Sequence, residues 1–165
     1  MKRKIIENYI IENKDKLYHI AFAYTKNKDD ALDIVQESIL KAFKSAHTLK
    51  NTDHIKTWYY RVLTSTAIDY IRKNSKVIPI SDQYIVDNEG KWDNYEDIDL
   101  KKALDLLTYE QRMVITLRYF EDMKIKDIAE ITNENVNTVK SRLYKALEIL
   151  RINIREDKIW VILKK

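Results

Sequence analysis

Lys124 to Leu143 reads KIKDIAEITNENVNTVKSRL. This stretch decides the fold class. Ile128, Ala129 and Ile131 give a first helix an apolar face, and Val136, Val139 and Leu143 recur at helical spacing on a second. Asn133 falls at the corner between them, where the chain must turn left-handed and Asn is the best tolerated residue after Gly. Asn135 stands where its side chain can accept from the free N–H groups that open the second helix. The pattern predicts a helix-turn-helix whose second helix presents Asn137, Thr138, Lys140, Ser141, Arg142 and Lys145 outward. Amides, hydroxyls and cations are the side chains that reach base edges and phosphates in a major groove, so duplex DNA is the expected ligand.

The rest of the chain agrees with a helical protein. Only one Gly and one Pro occur in 165 residues, too few for the turns of an all-β domain, so an all-α fold is expected. Hydrophobic residues make up 45% of the chain, enough for a packed core. Cysteine is absent, which removes disulfides and thiolate chemistry and suits a reducing cytoplasm. No apolar run is long enough to span a membrane, and the charged MKRKIIENYIIENK start lacks the apolar core of a signal peptide. The expected location is cytoplasmic, with no direct membrane insertion.

The net charge of +4 says less than its distribution. Residues 1–75 carry a net +5, residues 76–100 a net −5, and residues 101–165 a net +4. Two small helical domains, 1–75 and 101–165, joined by an acidic linker over 76–100, are therefore expected. Both breakers, Pro79 and Gly90, lie in that linker. Its apolar residues, among them Ile80, Tyr84 and Trp92, leave two readings open: a strap that docks on a partner surface, and a plain tether.

The first domain reads as three helices, marked by the apolar series Ile5 to Tyr24, Ala31 to Phe43 and Ile55 to Ile71. The second helix is expected to start near Asp29, and Asp53 to cap the third. In the second domain a short amphipathic turn around Leu104 to Leu107 precedes Thr108 and Gln111, which form a T-x-x-Q capping box before Met113, Val114, Leu117 and Phe120. The tail IREDKIWVILKK is amphipathic and unassigned.

A search for enzyme chemistry returns little. His19, His47 and His54 lack metal-site spacing, and a lone Gly rules out phosphate-cradling Gly-rich loops. No catalytic residue, metal or cofactor is expected. Two other stretches are more informative. DDALDIVQESILKAF, residues 29–43, sets Asp30, Asp33, Gln36 and Glu37 opposite its apolar face. That stripe is either a solvated surface or a docking face for a basic helical partner. TWYYRVLTSTAIDYIRK, residues 57–73, holds three consecutive aromatics that point in different directions around a helix. One ring is expected to be free for stacking on an unpaired base. Tyr60 is the preferred candidate, Trp58 the one expected in the core, with Arg61, Arg72 and Lys73 adding phosphate-seeking charge.

Taken in series, these segments resemble the extracytoplasmic-function (ECF) sigma factors of bacterial RNA polymerase, from about Leu17 to Arg151. DALDIVQESILKAF is similar to region 2.2, TWYYRVLTSTAIDYIRK to regions 2.3 and 2.4, and the segment from Ala103 to Arg151 to region 4. The resemblance implies a transcription initiation factor rather than an enzyme. Asp30, Asp33, Gln36 and Glu37 would then hold the clamp coiled coil of the largest subunit of core RNA polymerase, with the polymerase flap region as a further contact. The connector Leu49 to Ile55, including Asn51, Thr52 and Asp53, would line a pocket for a flipped −10 base. Arg61 and Arg72 would track the strand, and Asn137, Thr138, Lys140, Ser141, Arg142 and Lys145 would face the −35 groove of promoter DNA. The linker would thread toward the RNA exit path.

The chain departs from the family at Ser65, where Asn is usual, at Asn133, where Gly is favoured, and at Lys124, which cannot cap the helix after it. In finer detail ALDIVQES, AIDYIRK and EITNENVNTVKSRLYKAL are similar to the V-type sigma factors of Firmicutes. Those respond to lysozyme and are held by a membrane-bound anti-sigma factor. The alternative to the sigma reading is a stand-alone helix-turn-helix regulator that does not join polymerase, and a third is a helical protein-binding adaptor. The first needs a dimerisation or sensing domain that the chain does not evidently supply. The second fits poorly with residues 136–151, which carry a net +3.

Overall fold

A computed structural model describes residues 1–74 and 98–154. The linker and tail readings lie outside the described residues. Among those described, seven helices follow in order: α1 (Lys2–Thr25), α2 (Lys28–Lys44), α3 (Ile55–Asn74), α4 (Ile98–Asp105), α5 (Tyr109–Ile115), α6 (Ile125–Thr132) and α7 (Val136–Asn153). Two short 3-10 turns, Ala46–Thr48 and Thr52–His54, fill the connector between α2 and α3, and a π-helical segment, Thr116–Phe120, continues α5. No strand occurs among the described residues.

Helices α1 to α3 pack on one another around Leu17, Ile20, Ala21, Ile34, Tyr59, Leu63 and Ala67, all fully buried. α1 is one continuous helix that stops where Lys26 turns left-handed, φ 52°. α2 starts where expected, at Lys28 beside Asp29. Asn27 caps it, its side chain accepting from the Asp30 N–H at 3.0 Å. Asp29 and Asp30 then lie at the positive end of the helix dipole and Lys41 and Lys44 at the negative end. Asp53 does not cap α3. Asn51 caps the preceding 3-10 turn instead, accepting from the Asp53 N–H at 2.9 Å. A buried polar pair bridges α2 and α3: Ser38 meets the Tyr59 hydroxyl at 3.0 Å.

In the second lobe the capping box forms as the sequence predicts. The Gln111 N–H donates to Thr108 Oγ1 at 3.2 Å, and the Thr108 N–H to Gln111 Oε1 at 3.1 Å. The turn after α6 is a Schellman motif with Asn133 at its left-handed position, φ 54° and ψ 44°. The Glu134 N–H closes on the Ala129 carbonyl at 3.0 Å and the Asn133 N–H on that of Glu130 at 3.3 Å. Asn135 caps α7, accepting from the Thr138 N–H at 2.8 Å. Lys124 makes no side-chain cap to α6, in keeping with its chemistry.

The lobes pack against each other, α1 on α5 and α3 on α6. Arg112 lies in this seam, 5% exposed. Its Nε donates to the Ala23 carbonyl, and its Nη1 to the Leu107 and Leu104 carbonyls at 3.1 and 3.5 Å. Ala23 is in the last turn of α1, whose final carbonyls have no helical partner; Leu104 and Leu107 stand at the end of α4. One guanidinium thus serves the negative ends of two helices from different lobes. Burial pushes its pKa down to about 10, with Asp105 and Glu110 opposing, so it remains a cation at neutral pH.

The core is rich in tyrosine, and this gives a pH prediction. Burial pushes Tyr59 up to about 12, partly offset by its bond with Ser38. Tyr9, Tyr24 and Tyr60 are raised further, chiefly by burial. A hydroxyl raised by folding stays neutral in the native state after it has ionised in the unfolded one. Its stabilising share is complete below the ordinary value of 10.0 and is lost as pH climbs through about 12. Helicity is expected to hold to about pH 10 and to fall steeply above it, together with the rise of tyrosinate absorbance. Tyrosine ionisation completed near pH 10 with helicity intact would contradict the burial.

Candidate nucleic-acid interface

α7 is amphipathic along its length. Val139, Leu143, Ala146 and Leu150 are buried against α5 and α6, while Asn137, Lys140, Ser141 and Lys145 are exposed. Two amide or hydroxyl groups and two ammonium groups therefore share the solvent side of one helix beginning at a capped N-terminus. Val136 is 37% exposed, so the apolar seam starts at Val139, not at the first helical residue.

Two other members of the expected groove set have partners in the protein. Thr138 is half-buried and its hydroxyl donates to Asn135 Oδ1 at 3.0 Å. Arg142 is half-buried, and its guanidinium pairs with the Glu134 carboxylate in the turn between α6 and α7. Spacing along α7 could not reveal this pair, because Glu134 lies before the helix. Arg142 thereby ties the second turn of α7 to the helix-turn-helix corner.

The acidic stripe of α2 divides in the same way. Asp33 and Gln36 are exposed. Glu37 is half-buried and pairs with Lys41 at 3.3 Å, one turn further on. Asp30 accepts from the Tyr70 hydroxyl at 2.6 Å, a bond that pushes Tyr70 up to about 12. Leu32 and Leu40 are exposed on this helix, 44% and 62%. They give the acidic face apolar flanks that a search for charged side chains passes over.

The aromatic triplet on α3 departs from expectation. Tyr59 and Tyr60 are both fully buried and Trp58 is half-buried. Tyr60 therefore has no free face in this arrangement. Its hydroxyl donates to Glu121 of the other lobe at 2.7 Å, and the Lys56 ammonium lies 5.8 Å from its ring centroid. The Trp58 indole N–H donates to Thr48 Oγ1 at 2.9 Å, pinning the connector to α3. Asn51, Asp53, Arg61, Arg72 and Lys73 are exposed and Thr52 half-buried. Asn51 also holds the 3-10 turn, so its side chain is committed to local structure.

The arrangement defines a two-lobed helical protein built around a basic helix-turn-helix, with an acidic stripe on α2 in the opposite lobe. Comparison with known proteins places it. The family model Sigma-70 region 2 matches residues 10–77, and Sigma-70, region 4 matches residues 97–150. The RNA polymerase sigma factor SigV of Bacillus subtilis is 48% identical over 163 residues, spanning 95% of this chain and 98% of that one. The ECF RNA polymerase sigma factor SigW of the same organism is 28% identical over 159 residues, 87% of this chain and 85% of that one. Among solved structures, the sigma factor RpoE of Bartonella quintana, crystallised in complex with the anti-sigma factor NepR, has the same fold. Its TM-score is 0.77 at 23% identity, over 92% of this chain and 97% of that one. The chain belongs to the sigma-70 family of RNA polymerase sigma factors, in its ECF branch, and it is similar to the V-type member of Bacillus subtilis. Sigma factors are not enzymes.

Proposed function

We propose that this chain joins core RNA polymerase through α2 and directs it to promoters whose −35 duplex is read by α7. Asp33, Gln36 and Glu37 provide the polymerase face, with Leu32 and Leu40 beside them. Asn137, Lys140, Ser141 and Lys145 contact the −35 groove directly; Thr138 and Arg142 shape the helix-turn-helix that presents them. The connector Asn51 to Asp53, with Arg61, Arg72 and Lys73, meets the separated −10 strand. Domain limits of 1–75, 76–100 and 101–165 suit this division of tasks.

The observation that carries the reading is the pairing of two exposed faces of opposite character on separate lobes: amide, hydroxyl and ammonium groups on α7, carboxylates on α2. The RpoE structure contains an anti-sigma factor, and a similar inhibitor is proposed here, anchored in the membrane as the resemblance to V-type sigma factors implies. No helix among the described residues is long and apolar enough to cross a membrane. The site of action is the cytoplasm, with polymerase and DNA. Run-off transcription with purified core polymerase tests the reading: defined start sites that depend on this chain are expected.

A further inference from the structure

Glu134 and Arg142 form an ion pair at the edge of the recognition surface. Glu134 stands in the turn between α6 and α7, and its carboxylate meets the Arg142 guanidinium eight residues on. The two side chains keep only 27% and 29% of their surface exposed. The carboxylate is not what forms the turn. The Glu134 N–H closes on the Ala129 carbonyl at 3.0 Å, Asn133 takes the left-handed position, and Asn135 Oδ1 accepts from the Thr138 N–H at 2.8 Å, all without the Glu134 side chain. Arg142 lies one turn beyond Thr138 and three residues before Lys145, beside the side of α7 that carries Asn137, Lys140, Ser141 and Lys145. A free guanidinium at that edge would reach a phosphate flanking the groove, a partner that its forked donors match. Instead it faces a carboxylate.

We propose that Glu134 is a positioning residue that holds Arg142 off the DNA backbone, so that α7 engages duplex without this phosphate contact and its sequence-blind affinity stays low. The inference rests on the −35 reading of α7 and adds a restraint to that same face. The reason is electrostatic. A cation that neutralises a phosphate tightens binding to every sequence alike, through release of condensed counterions. Discrimination comes from groups that meet base edges, and among the exposed side chains of α7 Asn137 and Ser141 have that chemistry. Lys140 and Lys145 stand exposed on the groove side, while Arg142 is neutralised in place. Glu134 also lies next to the positive end of α7, where a carboxylate is favoured, so the pair needs no third group to hold it. The paired arginine therefore adds to the shape of the motif and little to its pull on bulk DNA.

Glu134→Gln removes the charge and keeps the shape, and the backbone bonds of the corner do not involve the side chain it changes. Binding of the full chain is read across a salt series on two probes: a duplex carrying the −35 element shared by its run-off start sites, and an unrelated duplex of the same length. In Glu134→Gln the plot of log affinity against log salt is expected to steepen by about 0.9 on both duplexes, and affinity for both to rise about fivefold at about 0.15 M salt. Glu134→Gln/Arg142→Gln, which removes both charges, is expected to keep the slope of the parent chain. A pair that is only structural predicts lower thermal stability in Glu134→Gln with an unchanged slope, and that result would overturn the proposal. So would a slope shallower by about 0.9 in the double variant, because Arg142 would then meet a phosphate in the parent complex. Weaker binding of Glu134→Gln to the −35 duplex alone would make Glu134 a base-reading acceptor and would overturn it too. A parent chain that starts transcription at defined sites but gives any of these results loses the Glu134 role alone. A parent chain that starts none removes the −35 reading, and the restraint with it.

Discussion

Reversing Asp33 and Glu37 together to Lys is expected to abolish assembly with core polymerase while leaving the fold intact. Both residues lie on the side of α2 away from its buried Ala31, Ile34, Ser38 and Ala42. The substitution leaves the core of the first lobe untouched. The local cost is small: Glu37→Lys loses the pair with Lys41 and sets two ammonium groups one turn apart, worth about 0.5 kcal/mol in an exposed helix. Across a complementary interface the same reversal juxtaposes like charges, which costs several kcal/mol, a loss on the order of 1000-fold in affinity. Circular dichroism checks the fold and co-purification with core polymerase checks assembly. Undiminished assembly would move the polymerase face off this stripe of α2.

Lys140→Glu combined with Lys145→Glu is expected to remove −35 duplex binding with polymerase affinity unchanged. Both ammonium groups are exposed on α7. A lysine that neutralises one phosphate steepens the dependence of log affinity on log salt by about 0.9, so a slope shallower by about 2 in the variant identifies both lysines as backbone contacts. Reversal adds repulsion, and the combined loss is expected to be on the order of 100-fold or more at moderate salt. Binding to a −35 duplex across a salt series reads both quantities. An unchanged slope with weakened binding would mean that the substitutions act through the helix and not at phosphate. Arg142 differs: with Glu in its place, two carboxylates meet at the helix-turn-helix corner, so binding falls through distortion as well as charge.

What the chain alone makes legible is what depends on neighbours in sequence. The turn at Asn133, the cap at Asn135 and the Thr108–Gln111 box are three- or four-residue devices with fixed chemistry, and each forms as predicted. Caps are harder to read where several candidates adjoin. Asn51 and not Asp53 provides the cap ahead of α3, because its side chain is positioned to accept from an N–H two residues on. Contacts between lobes have no sequence signature. Arg112 serves carbonyls 5, 8 and 89 residues away, and Tyr60 finds its acceptor 61 residues on. A free ring in the triplet Trp58–Tyr59–Tyr60 follows only if α3 has one neighbouring surface. α3 packs on α1, α2 and α6, so two of its rings are buried and the third is partly covered. The same limit applies to Glu134 and Arg142, whose pairing takes the arginine from the set of free groove cations.

Run-off transcription with purified core polymerase on a promoter library measures the central claim most directly. Addition of this chain is expected to yield transcripts from a narrow class of templates that share a −35 and a −10 element, with both Lys140→Glu/Lys145→Glu and Asp33→Lys/Glu37→Lys silent. Transcripts whose starts are indifferent to the chain, or to template sequence, would contradict it.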